Sequence, residues 1–239
     1  MSLNDYEIIV TDDSVGNIAK SLIEEKYKWA RWIDGPKNGP AANRNNGSKS
    51  AKGEWLVFLD DDCLPQKGWL FAYFTIIKNN KEAGVLEGKT TADRDRMRFD
   101  EEAPINLDGD KLWSCNFAIK KELFIKMGGF DETFPFAAME DVDFYIRVKA
   151  LSSVIFVPDA VVIHPWRRLK PFKSFKKQIK SQKHFAKKYG LRSFDFRLSR
   201  FKIFVGGIFI NFKELIHFSM KGWLAYIELC ILNFCLIFI

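Results

Sequence analysis

Cysteine is scarce in this chain. The 239 residues hold four, Cys63, Cys115, Cys230 and Cys235, with no C-x-x-C pair and no His/Cys cluster at zinc spacing. That excludes a disulfide scaffold and a structural zinc site, and makes a reduced, cytosolic compartment the expectation. The opening MSLNDYEIIV has no basic cluster followed by an apolar run, so no secretory signal is expected. No internal repeat is found. A composition of 47% hydrophobic and 28% charged residues suits one globular domain with a real core, plus an appendage.

Acidic residues are missing from one stretch only. Arg167 to Lys202 holds fourteen Lys/Arg against a single acid, Asp195, whereas residues 1–166 hold 21 basic and 27 acidic side chains. The overall charge of +7 is therefore an acidic body joined to a basic tail. Basic charge confined to one stretch argues against general nucleic-acid binding. Within that stretch Phe172, Phe175, Ile179, Phe185, Ala186 and Tyr189 share a helical face, and Lys173, Lys176, Lys177, Lys180, Lys183, Lys187 and Lys188 cover much of the rest. This is the profile of an interfacial helix drawn to anionic lipid, or of a solvated helix packing its apolar stripe on the body. The terminus KGWLAYIELCILNFCLIFI is apolar but short of one bilayer span, and it carries Glu228 and Asn233. These features predict peripheral attachment to an anionic membrane surface, on the inner face of the cell membrane.

Up to about residue 91 the pattern alternates between strand and helix. Tyr6–Thr11, Trp29–Asp34 and the apolar run Trp55–Leu59 read as strands. Helices are predicted from a cap at Asp12-Asp13-Ser14 to about Lys26, over Pro40–Lys52 and over Gly68–Asn79. This repetition predicts an α/β fold with a parallel sheet covered on both faces, and ligands at the carboxyl ends of its strands. Residues 92–111 read as a mobile polar loop. A strand near Trp113–Ile119, a helix at Lys121–Lys126, a turn at Gly128-Gly129, a helix from Glu140 and a strand through Val154–Val157 follow. The expected division is a catalytic body at 1–166, split near residue 91 into nucleotide-binding and acceptor halves, and a helical tail at 167–239.

Two acidic clusters, Asp12-Asp13 and Asp60-Asp61-Asp62, fall at strand ends on one expected sheet edge. Three adjacent carboxylates repel one another unless something neutralises them. A hard divalent cation, Mg²⁺ or Mn²⁺, binds one or two carboxylates together with substrate phosphates. Such an ion would neutralise charge on a departing diphosphate.

The segment GPAANRNNGSKSAKGEWLVFLDDDCLP (Gly39–Pro65) resembles the family 2 glycosyltransferases, which share the GT-A fold. The matching parts are Arg44-Asn45-Asn46-Gly47, Ala51-Lys52-Gly53-Glu54 and the D-x-D motif Asp60-Asp61-Asp62, with VTDDS upstream. The resemblance implies a mostly parallel GT-A sheet flanked by helices, with a Rossmann-like nucleotide-binding half. It places Asp12 or Asp13 on the nucleotide base, Arg44 near base or phosphate, Asp60 and Asp61 on the nucleotide (Asp61 at the ribose), and Asp62 on the metal. CNFAIKKELFIKMGGFDETFPFAAMEDVDFYIRV (Cys115–Val148) resembles the family's second half. There Asp141 is implied as the catalytic base, with Glu140 and Asp143 in support. A carboxylate at a helix N-terminus is favoured as the anion, the state that accepts a proton. The plainer reading of these acids is helix capping and an Asp143–Arg147 pair. The resemblance also implies that His164, in VVIHPW, helps to hold metal or diphosphate, although a lone His is more often structural. Trp113 and Asn116 are candidates for the acceptor side, although a Trp beside a strand is more often core.

The family's first strand, which would precede Tyr6, is not among these residues, so a gap in the sheet or a rearranged core is expected. The reaction implied is inverting transfer of a sugar from a nucleotide diphosphate-sugar to a hydroxyl acceptor, in polysaccharide or glycolipid synthesis. A sugar nucleotidyltransferase would need a glycine-rich phosphate loop with a lysine near the start, and none is present. A non-catalytic, membrane-associated nucleotide-sugar-binding subunit is the alternative.

Overall fold

In the computed structural model, residues 5–136, 138–191 and 193–239 are described. The first four residues, which bear on secretion, and Arg192 of the basic stretch lie outside them. The chain forms two compact units: residues 1–91, 104–133 and 140–163, and residues 92–103, 134–139 and 164–239.

In the first unit β1 (Ile8–Asp12), α1 (Ile18–Lys26), β2 (Ala30–Asp34) and α2 (Pro40–Ser50) lead to β3 (Trp55–Leu59), β4 (Leu64–Pro65) and α3 (Trp69–Asn79). The long strand β5 (Val85–Ala92) follows, its last residue belonging to the second unit, as does the short β6 (Glu101–Glu102). The first unit resumes with β7 (Asn116–Lys120), α4 (Lys121–Lys126), α5 (Glu140–Lys149) and β8 (Val154–His164). The strands form a five-stranded sheet in the order β3-β7-β5-β8-β4 and a separate two-stranded ladder of β1 and β2.

Alternation along the strands buries both faces of the larger sheet. Leu56, Val85, Phe117 and Ile119 join Ala41 of α2, Phe124 of α4, and Phe144 and Val148 of α5 in one apolar core. Their neighbours Leu86 and Ala118, with Trp55 and Val57, join Tyr73, Trp69 and Ile76 of α3 in another. The period of two is what a pleated strand imposes, and both faces are covered by helices.

The direction of pairing differs from the expected parallel sheet. β1 and β2 are parallel, but β7 runs antiparallel to both β3 and β5, and β4 runs antiparallel to β8. β3 and β5 thus point the same way, with the reversed β7 between them. The physical reason is the connection into β7, an irregular segment rather than a helical crossover, and without a crossover nothing imposes the parallel sense. The expected gap is present, since β1 pairs with β2 and not with the five-stranded sheet. Consequently the two acidic clusters end strands of different sheets, not one shared edge. The cap expected at Asp12-Asp13-Ser14 is replaced by an N-cap at Asn17, because Asp12 Oδ1 instead accepts the Ser14 amide at 2.9 Å in a local turn.

The second unit contains β9 (Arg167–Arg168), paired antiparallel with β6, and three helices, α6 (Phe175–Lys188), α7 (Phe194–His217) and α8 (Trp223–Leu236). Phe99, Leu215 and Ala225 form its small core. The polar segment expected to be mobile is tied down here by ion pairs from Arg94 to Glu101 (2.6 Å) and from Arg98 to Asp100 (2.6 Å). In α6, Ser181 and Ala186 are buried and Ser181 Oγ donates to the Phe136 carbonyl (3.4 Å), while Lys176, Lys177 and Lys180, and Lys173 just ahead of the helix, are exposed. Among the described residues no helix is long and apolar enough to cross a membrane.

Candidate active site

Four consecutive polar residues of α2 organise the site. Successive helix residues are rotated by about 100°, so a polar run on a short helix meets several surroundings. Asn43 Nδ2 donates to the Thr11 carbonyl (2.9 Å) and Asn46 Nδ2 to that of Asp34 (2.9 Å), which anchors the β1–β2 ladder. Arg44 Nη2 donates to Asp60 Oδ1 at 2.9 Å, just beyond β3. Asn45 is buried, donates to the Phe130 carbonyl (2.9 Å) and to Glu132 Oε1 (2.7 Å), and accepts from the Phe130 amide (2.9 Å). That last set needs Gly129, at φ +69°, where a Cβ would collide with Asn45 Oδ1 and Phe124. Phe130 stacks on Phe144 at 4.3 Å and carries the Arg44 guanidinium 5.5 Å from its ring centre.

Glu140 and Asp141, at the start of α5, complete the cluster. Arg44 Nη1 lies 3.9 Å from Glu140 Oε1. Asp141 Oδ2 accepts from Ser114 Oγ at 3.0 Å and from the Ser114 amide at 3.4 Å. Among the described residues, Arg44 Nη1 and Asp141 Oδ1 are both sealed from solvent without a hydrogen-bond partner. A buried donor and a buried acceptor left unmatched are costly in a pure scaffold and fit a polar ligand. Burial works against the Arg44 charge, and Asp60, Asp141 and Glu140 together overcome it.

The titration of the two acids departs from the sequence expectation. A helix N-terminus favours the anion, but burial, reinforced by neighbouring Asp141, pushes Glu140 up to about 7. Burial also raises Asp141, against the opposing pull of Arg44 and Ser114. Carboxyls raised toward neutrality are better matched to taking a proton than ordinary ones. The sign of the stability effect follows from linkage. Between the ordinary Glu value of 4.5 and about 7 the folded state holds the Glu140 proton more tightly than the unfolded state. Stability is therefore lost as pH rises through that window. Glu140→Gln should remove this loss, so its stability relative to wild type should gain about 3 kcal/mol between those pH values. Urea denaturation of both proteins across the range measures it, and parallel stability curves would contradict the assignment.

Other expected residues are placed as follows. Asp12 is engaged by Ser14 and by the Trp32 indole (3.2 Å), and hydrogen bonds from the Ser14 side chain and amide hold its pKa below the ordinary value. Asp13 Oδ1 accepts the Lys37 amide at 2.9 Å. Asp61 is exposed and Asp62 half-buried at the end of β3, so the three acids face different surroundings. His164 is buried as the last residue of β8, one beyond Ile163, which pairs with Leu64. The plainer reading of Asp143 is realised: it is fully buried and accepts from Arg147 Nε at 2.8 Å, while Arg147 Nη1 donates to the Gly129 carbonyl at 2.8 Å. Asn116 joins strands instead of facing an acceptor: it is buried, accepts from Trp69 and Tyr73 (both 2.8 Å), and donates to the carbonyls of Lys89 and Ala160 (both 2.9 Å).

Two positioning residues escaped the sequence reading. Ser114 orients Asp141. Glu87, buried in β5, accepts the amides of Asp110 (2.7 Å), Lys111 (3.1 Å) and Leu112 (2.8 Å), which fixes the loop that delivers Ser114. The only available signal was an acid among apolar and small residues in GVLEGKTTA.

Residues 2–139 match the description "Glycosyl transferase family 2", and residues 109–201 match "Glycosyltransferase like family 2". An uncharacterized glycosyltransferase of Haemophilus influenzae is 26% identical over 170 residues, covering 65% of this chain and 55% of that protein. Staphylococcus aureus TarS 1–349 in complex with UDP-GlcNAc shares the fold at TM-score 0.55 and 18% identity, over 71% of this chain and 52% of TarS 1–349. GalNAc-T7 with UDP, GalNAc and Mn²⁺ does so at TM-score 0.56 and 16% identity, over 76% of this chain and 41% of the other. The chain thus spans about half the length of these proteins. The α/β sheet, its flanking helices and the match over more than half of the residues agree: the chain belongs to glycosyl transferase family 2.

Proposed function

We propose that this chain is an inverting glycosyltransferase that moves a sugar from a nucleotide diphosphate-sugar to a hydroxyl acceptor, in polysaccharide or glycolipid synthesis. The observation that carries the reading is the cluster of Arg44, Asp60, Glu140 and Asp141, with one unmatched buried nitrogen and one unmatched buried oxygen. In the reaction the acceptor oxygen attacks the anomeric carbon as the bond to the diphosphate breaks on the opposite face. The nucleoside diphosphate leaves with the electron pair, and Asp141 takes the hydroxyl proton. Ser114 holds Oδ2 of that carboxylate and Oδ1 is sealed from solvent, so the acceptor hydroxyl meets Oδ1 only once the site opens. Arg44 offers positive charge to the departing diphosphate.

Asp12 or Asp13 is assigned to the base, with Asp60 and Asp61 on the nucleotide and Asp61 at the ribose. Both oxygens of Asp12 already accept hydrogen bonds, which favours Asp13. Asp62 and His164 would hold Mn²⁺ or Mg²⁺. The donor set fits, because Asp60 is committed to Arg44 and a carboxylate with an imidazole suits a divalent ion. When bound, the ion neutralises charge on the diphosphate. UDP-sugar and Mn²⁺ in the structural relatives support this choice of donor and cofactor. Asp62→Asn should weaken UDP binding in calorimetry with Mn²⁺ and matter little without it. Equal affinity of both proteins with metal would sink the assignment.

The β1–β2 ladder, discontinuous with the larger sheet, favours a second reading: a non-catalytic nucleotide-sugar-binding subunit. Such a protein would bind the donor and release no nucleoside diphosphate. For location we propose peripheral attachment to an anionic membrane surface at the cytoplasmic face. The exposed lysines of α6 and the exposed Phe209, Ile210 and Ile216 of α7 support it.

A further inference from the structure

Within the second unit lies a cavity of about 490 Å³ whose lining includes Arg98, Asp100, Arg168, Lys170, Trp223 and Leu224. Its walls are tied together by backbone hydrogen bonds from Phe99 to Lys221 (3.0 Å) and from Leu169 to Asp100 (2.8 Å), and by the β6–β9 ladder. Asp100, the one acid, is buried and already committed. It accepts from Arg98 Nε (2.6 Å) and Nη2 (3.0 Å) and from Arg168 Nε (3.2 Å). Three cations against one acid leave the cavity positive. Arg168 is largely exposed, and its two terminal nitrogens make no hydrogen bond among the described residues. Lys170 is exposed beside it. The first turn of α8 adds the positive end of a 14-residue helix. Gly222 lets that turn approach, since a Cβ there would lie 2.6 Å from the Asp100 nitrogen.

An apolar track leaves this basic cavity. Leu224, Ile227, Ile231 and Phe234 are all exposed and recur at three- and four-residue spacing, so they line one face of α8. Trp223, 51% exposed, sits at its head. The helix is about 21 Å long and cannot span a bilayer core of about 30 Å, so this face suits acyl chains met from the side.

We propose that the cavity binds the phosphate headgroup of a membrane phospholipid, with the acyl chains along Leu224, Ile227, Ile231 and Phe234. The cations meet the phosphate, the apolar track meets the chains, and one ligand chemistry satisfies both. This rests on the membrane part of the proposed reading and not on its catalytic part. It differs from docking through α6, whose lysines respond to surface charge of any chemistry.

The test is flotation with phosphatidylcholine vesicles doped with phosphatidic acid or, at matched surface charge, with oleate. Phosphatidylcholine screens its phosphate with choline in both arms, so wild type should prefer the vesicles that add the exposed phosphomonoester of phosphatidic acid. Arg168→Gln and Lys170→Gln should each lower that binding about fivefold and remove the preference. Lys170 makes no ion pair among the described residues, so its variant guards against loss of folding from breaking the Arg168–Asp100 pair. Replacing Lys173, Lys176, Lys177 and Lys180 with Gln should lower binding to both vesicles alike and leave the preference. Equal binding of wild type to both vesicles, or a preference that survives in both single variants, would overturn the proposal. So would binding of inorganic phosphate alone, by calorimetry, as tight as that of vesicles. UDP binding measured on the same samples reports the catalytic reading separately.

Discussion

Asp141→Asn should leave donor binding intact and lower transfer by about two to four orders of magnitude, the range for loss of general base catalysis. The substitution is nearly isosteric, and an amide oxygen can still accept from Ser114 Oγ and its amide. What the amide cannot do is take a proton from the acceptor hydroxyl. Because burial raises the Asp141 pKa, wild-type transfer should rise with pH as this carboxyl ionises, and the residual transfer of the variant should lack that limb. Initial rates across pH, beside calorimetric UDP binding, measure both. Transfer at the wild-type rate would assign the proton to another group.

Arg44→Met should have the largest effect on stability. Arg44 is buried between Asp60, Glu140 and Asp141, and its loss leaves three acids without their shared cation. Removing one partner of a buried ion pair costs about 3–5 kcal/mol. The sign of its pH dependence is fixed. Without the guanidinium the folded-state pKa values of Glu140 and Asp141 rise further above their unfolded values, so their cost is absent when they are protonated and grows as pH rises. The deficit against wild type should therefore be small near pH 4 and full above about pH 7. UDP binding should fall as well, since the proposed role of Arg44 is to meet the diphosphate. A deficit independent of pH would mean that packing on Phe130 explains the loss, and not charge.

Local pattern carried much of this fold. β3 at Trp55–Leu59, α4 at Lys121–Lys126 and the start of α5 at Glu140 lie where apolar runs, caps and turns put them. Two strands were harder. β5 contains Glu87 and Gly88, residues that weaken a strand reading, and both serve close contacts visible only in three dimensions: Glu87 holds three amides, and a Cβ on Gly88 would strike Asn116 and Tyr73. β8 continues through Pro158 and Asp159, which usually stop strands. The reversed β7 was hidden because direction depends on the connection and not on the strand itself.

At the site, the family resemblance pointed to Arg44, Asp60, Glu140 and Asp141, and the fold gathers them. Ser114 was silent because one hydroxyl among many carries no pattern, and Asn45 showed as part of a motif but not by its contacts. Their importance comes from distant partners, such as Phe130, 85 residues from Asn45. The pKa values of Glu140 and Asp141 were misjudged for a related reason: a helix N-terminus is legible in sequence, but the burial that outweighs it is not.

The central claim is transfer chemistry, and nucleoside diphosphate release tests it most directly. The chain should be incubated with a panel of nucleotide-sugars and Mn²⁺, with UDP release followed over time beside Asp141→Asn. The account predicts release from at least one UDP-sugar by wild type and a loss of about two to four orders of magnitude in the variant. Binding of the same donor with no release by wild type would contradict it, and would leave a nucleotide-sugar-binding subunit in its place.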